Sequence, residues 1–243
     1  MSKLLEVNNL TKKFGGLTAV NDVSIYVNEG EIVGLIGANG AGKTTFFNMI
    51  AGEFPPTSGT IRFEGKEIQG QPGYKMCHLG IGRTYQIVKP FSTLSVLDNT
   101  VVGALLKDSN VKRAKEKARE VVEMVGLGYR MDVVGADLNL PELKRMELAR
   151  ALATEPKLLL LDEVMAGLNP ADSDKMIELV RDINKTGITI IIIEHVMKAI
   201  MRLSNRIYVL NQGHLISQGT PEEVSQDPEV IKSYFGEKRY AKN

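Results

Sequence analysis

Nine consecutive residues, Gly37-Ala38-Asn39-Gly40-Ala41-Gly42-Lys43-Thr44-Thr45, have the types and order needed to bind a chain of phosphates. A turn that wraps a phosphate chain brings several backbone N–H groups close to anionic oxygen, and glycine is required where a Cβ would clash, here at Gly37, Gly40 and Gly42. The intervening Asn39 and Ala41 and the closing Thr45 contribute amides to the same cradle, which opens a helix whose positive end favours anions. Lys43 is placed to reach β- and γ-phosphates, and the Thr44 hydroxyl to join the coordination shell of Mg²⁺.

Four further residues bear on phosphoryl transfer to water, which needs a held cation, a positioned water and donors to developing charge. Asp162 ends the apolar run Leu158-Leu159-Leu160-Leu161 and suits the Mg²⁺ shell; Glu163, next in the chain, suits the general base that polarises the attacking water. Gln86 reads either as a Mg²⁺ ligand sensing the γ-phosphate or as a strand-end cap. His195 follows Ile192-Ile193-Glu194 and reads as a partner of the γ-phosphate that holds Glu163 in place, against a satisfied core histidine. The other two histidines differ: His78 beside Cys77 lacks metal-ligand spacing, and His214 belongs to a hairpin turn.

These residues need a scaffold that gathers strand ends. Ile32 to Ile36, Leu158 to Leu161 and Ile188 to Ile193 are near-continuous apolar runs, the pattern of parallel strands buried on both faces, with helices between them such as Ala171 to Asn184. Ligands bind outside the carboxyl ends of such strands. Before the phosphate loop, Leu4 to Leu10 and Val23 to Val27 alternate as an antiparallel pair around a turn at 12–16; Thr60 to Phe63 adds a short strand. Gly80 to Gln86 reads as a strand ending at the amide. Ile207 to Asn211 and His214 to Ser217 read as a hairpin around Gln212-Gly213, followed by short helices after Pro221 and Pro228. Residues 88–154 change character and read as an all-helical insert: Leu94 to Leu106, Val111 to Val125 and a helix from near Pro141. In the second of these, Val111, Ala114, Ala118, Val121, Val122 and Val125 share one face, and the Lys, Arg and Glu residues around them read as a solvated surface. The expected fold is thus one α/β domain over 1–243, with a mostly parallel core and antiparallel layer from 1–87 and 155–243, and a helical subdomain at 88–154.

The bulk numbers narrow the partners. With 30 Lys plus Arg against 29 Asp plus Glu, a net charge of +1 gives no electrostatic ground for a nucleic-acid partner. A single cysteine forms no internal disulfide, the first residues lack the apolar core of a signal peptide, and the longest apolar run falls far short of the ~20 residues that span a bilayer. A cytoplasmic setting is expected.

Taken together these pieces resemble the ATP-binding subunit of ATP-binding cassette (ABC) transporters, over essentially the whole chain. The matching elements are the loop 37–45, Gln86, the strand Leu158 to Glu163, Ala166-Gly167-Leu168-Asn169 and His195. Phe14-Gly15-Gly16-Leu17-Thr18-Ala19-Val20, Gly82-Arg83-Thr84-Tyr85-Gln86, the same loop extended to Pro170, and Asp227-Pro228-Glu229-Val230-Ile231 are similar to the larger ATPase subunit of branched-chain amino acid importers. The resemblance implies a RecA-like P-loop NTPase fold and a Mg²⁺-dependent ATPase in which Phe14 stacks on adenine. It further implies a peripheral protein at the cytoplasmic face of the inner membrane, paired head to tail with a sister ATPase, driving two membrane permease subunits through the groove near Gln86 and served indirectly by an extracytoplasmic solute-binding protein.

Two departures stand out. The family's signature, Leu-Ser-Gly-Gly-Gln, falls on Leu138-Asn139-Leu140-Pro141-Glu142, and Val164 replaces a proline after Glu163. Pro141 has no N–H for a phosphate in the facing subunit, although the following Lys144 to Leu152 keeps the character of the signature helix. The expectation is a heterodimer whose sister subunit supplies an intact signature. A non-transport ABC ATPase acting on nucleic acid or the ribosome is the alternative, but the chain has no tandem cassette, coiled-coil insert or basic extension. A guanine-specific NTPase is disfavoured because Asn184-Lys185-Thr186-Gly187 lacks the acidic residue that would read the guanine edge.

Overall fold

The structure is a computed structural model that describes residues 2–235. In chain order the elements are β1 (Lys3–Phe14), β2 (Leu17–Asn28), β3 (Ile32–Gly37), α1 (Lys43–Ile50), β4 (Ser58–Phe63), β5 (Lys66–Glu67), α2 (Gly73–Leu79), β6 (Ile81–Arg83), α3 (Val96–Ala104), α4 (Val111–Met124) and α5 (Leu140–Leu152). They continue with β7 (Leu158–Asp162), α6 (Pro170–Lys185), β8 (Thr189–Ile193), α7 (Met197–Leu203), β9 (Arg206–Asn211), β10 (His214–Gly219), α8 (Pro221–Gln226) and α9 (Pro228–Phe235).

Two sheets carry the fold, one of order β2-β1-β4-β5 and one of order β10-β9-β3-β8-β7-β6. In the second, the neighbours from β9 to β6 run parallel and β10 closes the edge antiparallel. The period of two divides its strands cleanly. Val33, Leu35, Leu158, Leu160, Ile191 and Ile193 meet Phe46, Phe47 and Met49 of α1 and the inner face of the antiparallel sheet. Ile32, Ile36, Leu159, Leu161, Ile190 and Ile192 meet Met176, Ile177 and Val180 of α6, Ile200 of α7, and Met146 and Leu148 of α5. Apolar runs buried on both faces are what this arrangement demands.

Two local expectations are corrected, and one helix is added. Strands β1 and β2 extend to Phe14 and from Leu17, leaving only Gly15-Gly16 as the turn. Register shifts near Asn9, which with Asp22 has positive φ (50° and 54°), break the alternation that marks a strand while the ladder continues. The strand expected to end at Gln86 stops at Arg83, because the Tyr85 amide turns away to donate to the Glu147 carboxylate at 2.8 Å. Helix α7 was not foreseen; it is seven residues long and has no side-chain cap, so no start signal precedes it.

Helices α3, α4 and α5 follow β6 and precede β7, two strands paired side by side. Ala114 and Ala118 of α4 pack with Leu97, Val101 and Ala104 of α3 in a small cluster of their own. Each helix has a polar N-cap, Ser95, Asn110 or Asn139, accepting from the first-turn amides.

Candidate active site

The carboxyl ends of β3, β7 and β8 lie side by side, with Asp162 paired to Ile193 and Leu35 to the same residue. The chain leaves β3 at Gly37 and enters α1 at Lys43. A Cβ at Gly37 would lie 2.3 Å from the Leu210 carbonyl oxygen and one at Gly42 2.4 Å from that of Ala19, so these two glycines are dictated by the flanking strands. Gly40 faces open space and is needed for its φ of 79°. Gly42 caps α1 with no side-chain hydrogen bond, which suits a helix start that receives an anion. Lys43 is buried and donates Nζ hydrogen bonds to the Gly37 and Ala38 carbonyls at 2.7 and 3.0 Å. Burial lowers its pKa, and the nearby Glu163 and Asp162 charges oppose that shift.

A cavity of about 890 Å³ is lined by 39–45, Gln86, Glu163 and His195, with Leu17, Thr18, Ala19, Gln212 and Gly213 completing its wall. Glu163 sits just past β7 with a φ of 50°, its amide donating to the Ile193 carbonyl at 2.9 Å. Both of its carboxylate oxygens are engaged: His195 Nε2 lies 2.7 Å from Oε1, and Gln86 Nε2 donates to Oε2 at 2.7 Å. A second cavity of about 620 Å³ brings Thr44, Gln86 and Asp162 onto one wall. Asp162 is buried; burial raises its pKa, and the Arg83 guanidinium, 3.3 Å away, opposes the shift.

Phe14 stands apart from these cavities. It is half-exposed at the tip of β1, and its ring meets Phe54 edge to face at 5.4 Å, with Lys12 Nζ over both rings. The start of α5 is closed on itself. Asn139 Oδ1 accepts from the Glu142 amide at 3.0 Å and Glu142 Oε2 accepts from the Asn139 amide at 3.1 Å. Pro141 lies between them without an N–H, and Arg130 and Tyr129 clamp the Glu142 carboxylate.

Several residues that sequence reasoning passed over hold the site from a distance. Lys144 Nζ donates to the carbonyls of both Gln86 and Glu163 at 3.1 Å. Glu194, buried between strand ends, accepts from the Met165 amide at 2.8 Å, and burial pushes its carboxyl up to about 7. Glu147 likewise has a raised pKa from burial. Only the charge of Lys144 inside an apolar helix face hinted at any of this.

Residues 20–166 match the family described as ABC transporter, and residues 214–239 match the one described as branched-chain amino acid ATP-binding cassette transporter. The high-affinity branched-chain amino acid transport ATP-binding protein LivG of Salmonella typhimurium is 41% identical, with 96% of this chain and 98% of that one covered. The lipopolysaccharide export system ATP-binding protein LptB of Escherichia coli is 39% identical over 96% of this chain and 97% of its own. Among solved structures, the ADP conformation of MJ1267, an ATP-binding cassette of an ABC transporter, superposes with a TM-score of 0.89 at 31% identity, covering 98% of this chain and all of that one. A glycine-rich loop between β3 and α1, a carboxylate pair at the end of β7 and this likeness along the whole length agree: the chain belongs to the ABC transporter ATP-binding family, whose members are ATP-hydrolysing subunits serving membrane permeases.

Proposed function

We propose that this chain powers an importer of branched-chain amino acids or closely related small solutes, as a peripheral subunit on the cytoplasmic face of the inner membrane. The cassette as a whole is about as similar to an export ATPase as to LivG. What favours import of branched-chain amino acids is the separate match over 214–239. The relatives named are transport proteins, so action on nucleic acid or the ribosome is not favoured.

The observation that carries the mechanism is the double engagement of Glu163 by Gln86 and His195, each at 2.7 Å. Glu163 acts as the general base, taking a proton from water as its oxygen attacks the γ-phosphorus. His195 orients that carboxylate and offers its ring to the γ-phosphate. Lys43 exchanges its loop carbonyls for phosphate oxygens, and the amides of 39–45 hold the β-phosphate. Phe14 stacks on adenine. The hydroxyl of Thr44, the Asp162 carboxylate and the Gln86 side-chain oxygen form an all-oxygen set, and all three residues line one cavity. This donor set fits Mg²⁺, which prefers few protein ligands together with phosphate and water, and which would neutralise charge on the β- and γ-oxygens.

Residues 88–154 serve as a helical subdomain beside the nucleotide core. Tyr85, Ile87 and Phe91, exposed where the chain enters it, offer an apolar surface to a permease. The self-capped start of α5 favours a heterodimer in which a sister ATPase supplies the signature over Lys43, with an extracytoplasmic binding protein delivering solute. The test is the reconstituted complex. ATP turnover stimulated by a binding protein loaded with leucine, isoleucine or valine is expected; stimulation by none of these, with another solute active, would overturn the substrate assignment.

A further inference from the structure

Arg83 ends β6 opposite Leu160 and points its guanidinium at the candidate metal carboxylate. Its side chain is 10% exposed, yet its hold on Asp162 is a single contact of 3.3 Å from Nη2, and its Nε and Nη1 are buried without a hydrogen-bond partner. An arginine that serves only to brace a carboxylate uses its fork, as Arg130 does in this same chain, where Nε and Nη2 reach both oxygens of Glu142 at 2.8 and 3.3 Å. Arg83 does not. A second acid stands ready: Glu53 Oε1 lies 3.7 Å from Nη1, and the same oxygen accepts from the Tyr85 hydroxyl at 3.1 Å. The Tyr85 ring lies 4.8 Å from the guanidinium.

We propose that Arg83 is a resident counter-ion that occupies Asp162 while no cation is bound and passes to Glu53 when one enters, so that it sets how strongly cation binding depends on nucleotide. The inference rests on the reading of Thr44 and Asp162 as metal ligands. The Arg83 guanidinium lies 3.3 Å from the buried Asp162 carboxylate, and a divalent cation beside Arg83 would place like charges within a few ångströms of each other. Nucleotide phosphates offset that repulsion; without them Arg83 keeps the cation out. Arg83 is thus a positioning residue, since it acts on the reaction only through Asp162.

The probe is Mn²⁺ alone, titrated into the nucleotide-free full-length chain and followed by the electron paramagnetic resonance of the free ion, then repeated with ADP present. Arg83→Gln is expected to tighten Mn²⁺ binding without nucleotide by about tenfold or more and to shrink the enhancement that ADP gives. Glu53→Gln should loosen Mn²⁺ in the wild-type background and change little in the Arg83→Gln background, because Glu53 acts through Arg83. Arg83→Lys, which keeps the charge, should stay near wild type. Unchanged Mn²⁺ affinity in Arg83→Gln, or additive effects of the two substitutions, would overturn the hand-over. Should Arg83→Gln not fold, an unchanged affinity in Glu53→Gln overturns it equally. Asp162→Asn separates the two levels: if Mn²⁺ binding survives it, the metal assignment itself has failed.

Discussion

Lys144, one turn into α5, is tied to Glu163 at the end of β7 by a hydrogen bond of 3.1 Å from its Nζ to the Glu163 carbonyl. The same ammonium reaches the Gln86 carbonyl, so a single buried side chain joins the backbones of two residues whose side chains hydrogen-bond to each other. Lys144→Met keeps the length of the side chain but leaves both carbonyls without this donor. It should lower stability by about 1 to 3 kcal/mol and slow turnover more than it weakens ATP binding, as urea unfolding and steady-state kinetics on the assembled complex would show.

Glu163→Gln should leave ATP binding intact and slow hydrolysis by at least ~100-fold, the scale of a lost general base. Turnover equal to wild type in the assembled complex would remove the base from Glu163.

The proposed roles of Lys43 and Phe14 are tested by nucleotide affinity. Lys43→Ala should raise the ATP dissociation constant, and Phe14→Ala should raise it by the equivalent of about 1 to 3 kcal/mol while Phe14→Tyr leaves it unchanged. Fluorescent ATP titration checks all three. Equal affinities for the three Phe14 forms would agree with its place outside the cavity and exclude it from the site.

Glu194 predicts a pH signature. Its folded pKa of about 7 lies above the ordinary value of 4.5, so on unfolding the group releases a proton between those limits. Stability therefore falls as pH rises from about 4.5 to about 7, by roughly 3 kcal/mol in all, and is flat above. Glu194→Gln retains an oxygen for the Met165 amide and should be more stable than wild type at pH 8, with no gain at pH 4. Denaturant unfolding at the two pH values decides; a gain of equal size at both would mean that the carboxyl does not titrate in this range.

The closed start of α5 predicts asymmetry. A missing backbone donor to developing charge slows reaction by ~10²- to 10³-fold, so two copies of this chain should hydrolyse ATP far more slowly than the heteromeric complex. Restoring Asn139→Ser, Leu140→Gly and Pro141→Gly together should raise activity at the weak site. A homodimer as fast as the complex would refute the heterodimer.

What could be read from the sequence follows from how local each signal is. The loop 37–45 and the pair Asp162-Glu163 are contiguous, and the apolar runs beside them announce buried parallel strands, so the scaffold and the place of these residues on strand ends were legible. The supports of the site were not: Lys144 lies 58 residues from Gln86 and Arg83 79 from Asp162, separations across which no spacing rule operates. Helix α7 lacked a capping residue, and the far end of β1 lies beyond register shifts between Leu10 and Lys13 that break its alternation. Even the glycines carried a mixed message, since Gly37 and Gly42 make room for neighbouring strands rather than for a ligand alone.

The pairing of β6 with β7 has a mechanical consequence. Everything from residue 84 to 157 departs from one strand and returns on its immediate neighbour, so the chain joins the three helices to the sheet by two adjacent leads, in addition to the packing of α5 on the core. One lead carries Gln86 and the other ends at Asp162 and Glu163. A torque applied to those helices from outside therefore reaches the same carboxylate from two sides, through Gln86 and along β7, and because β7 is paired on both edges its neighbours β6 and β8 share the load.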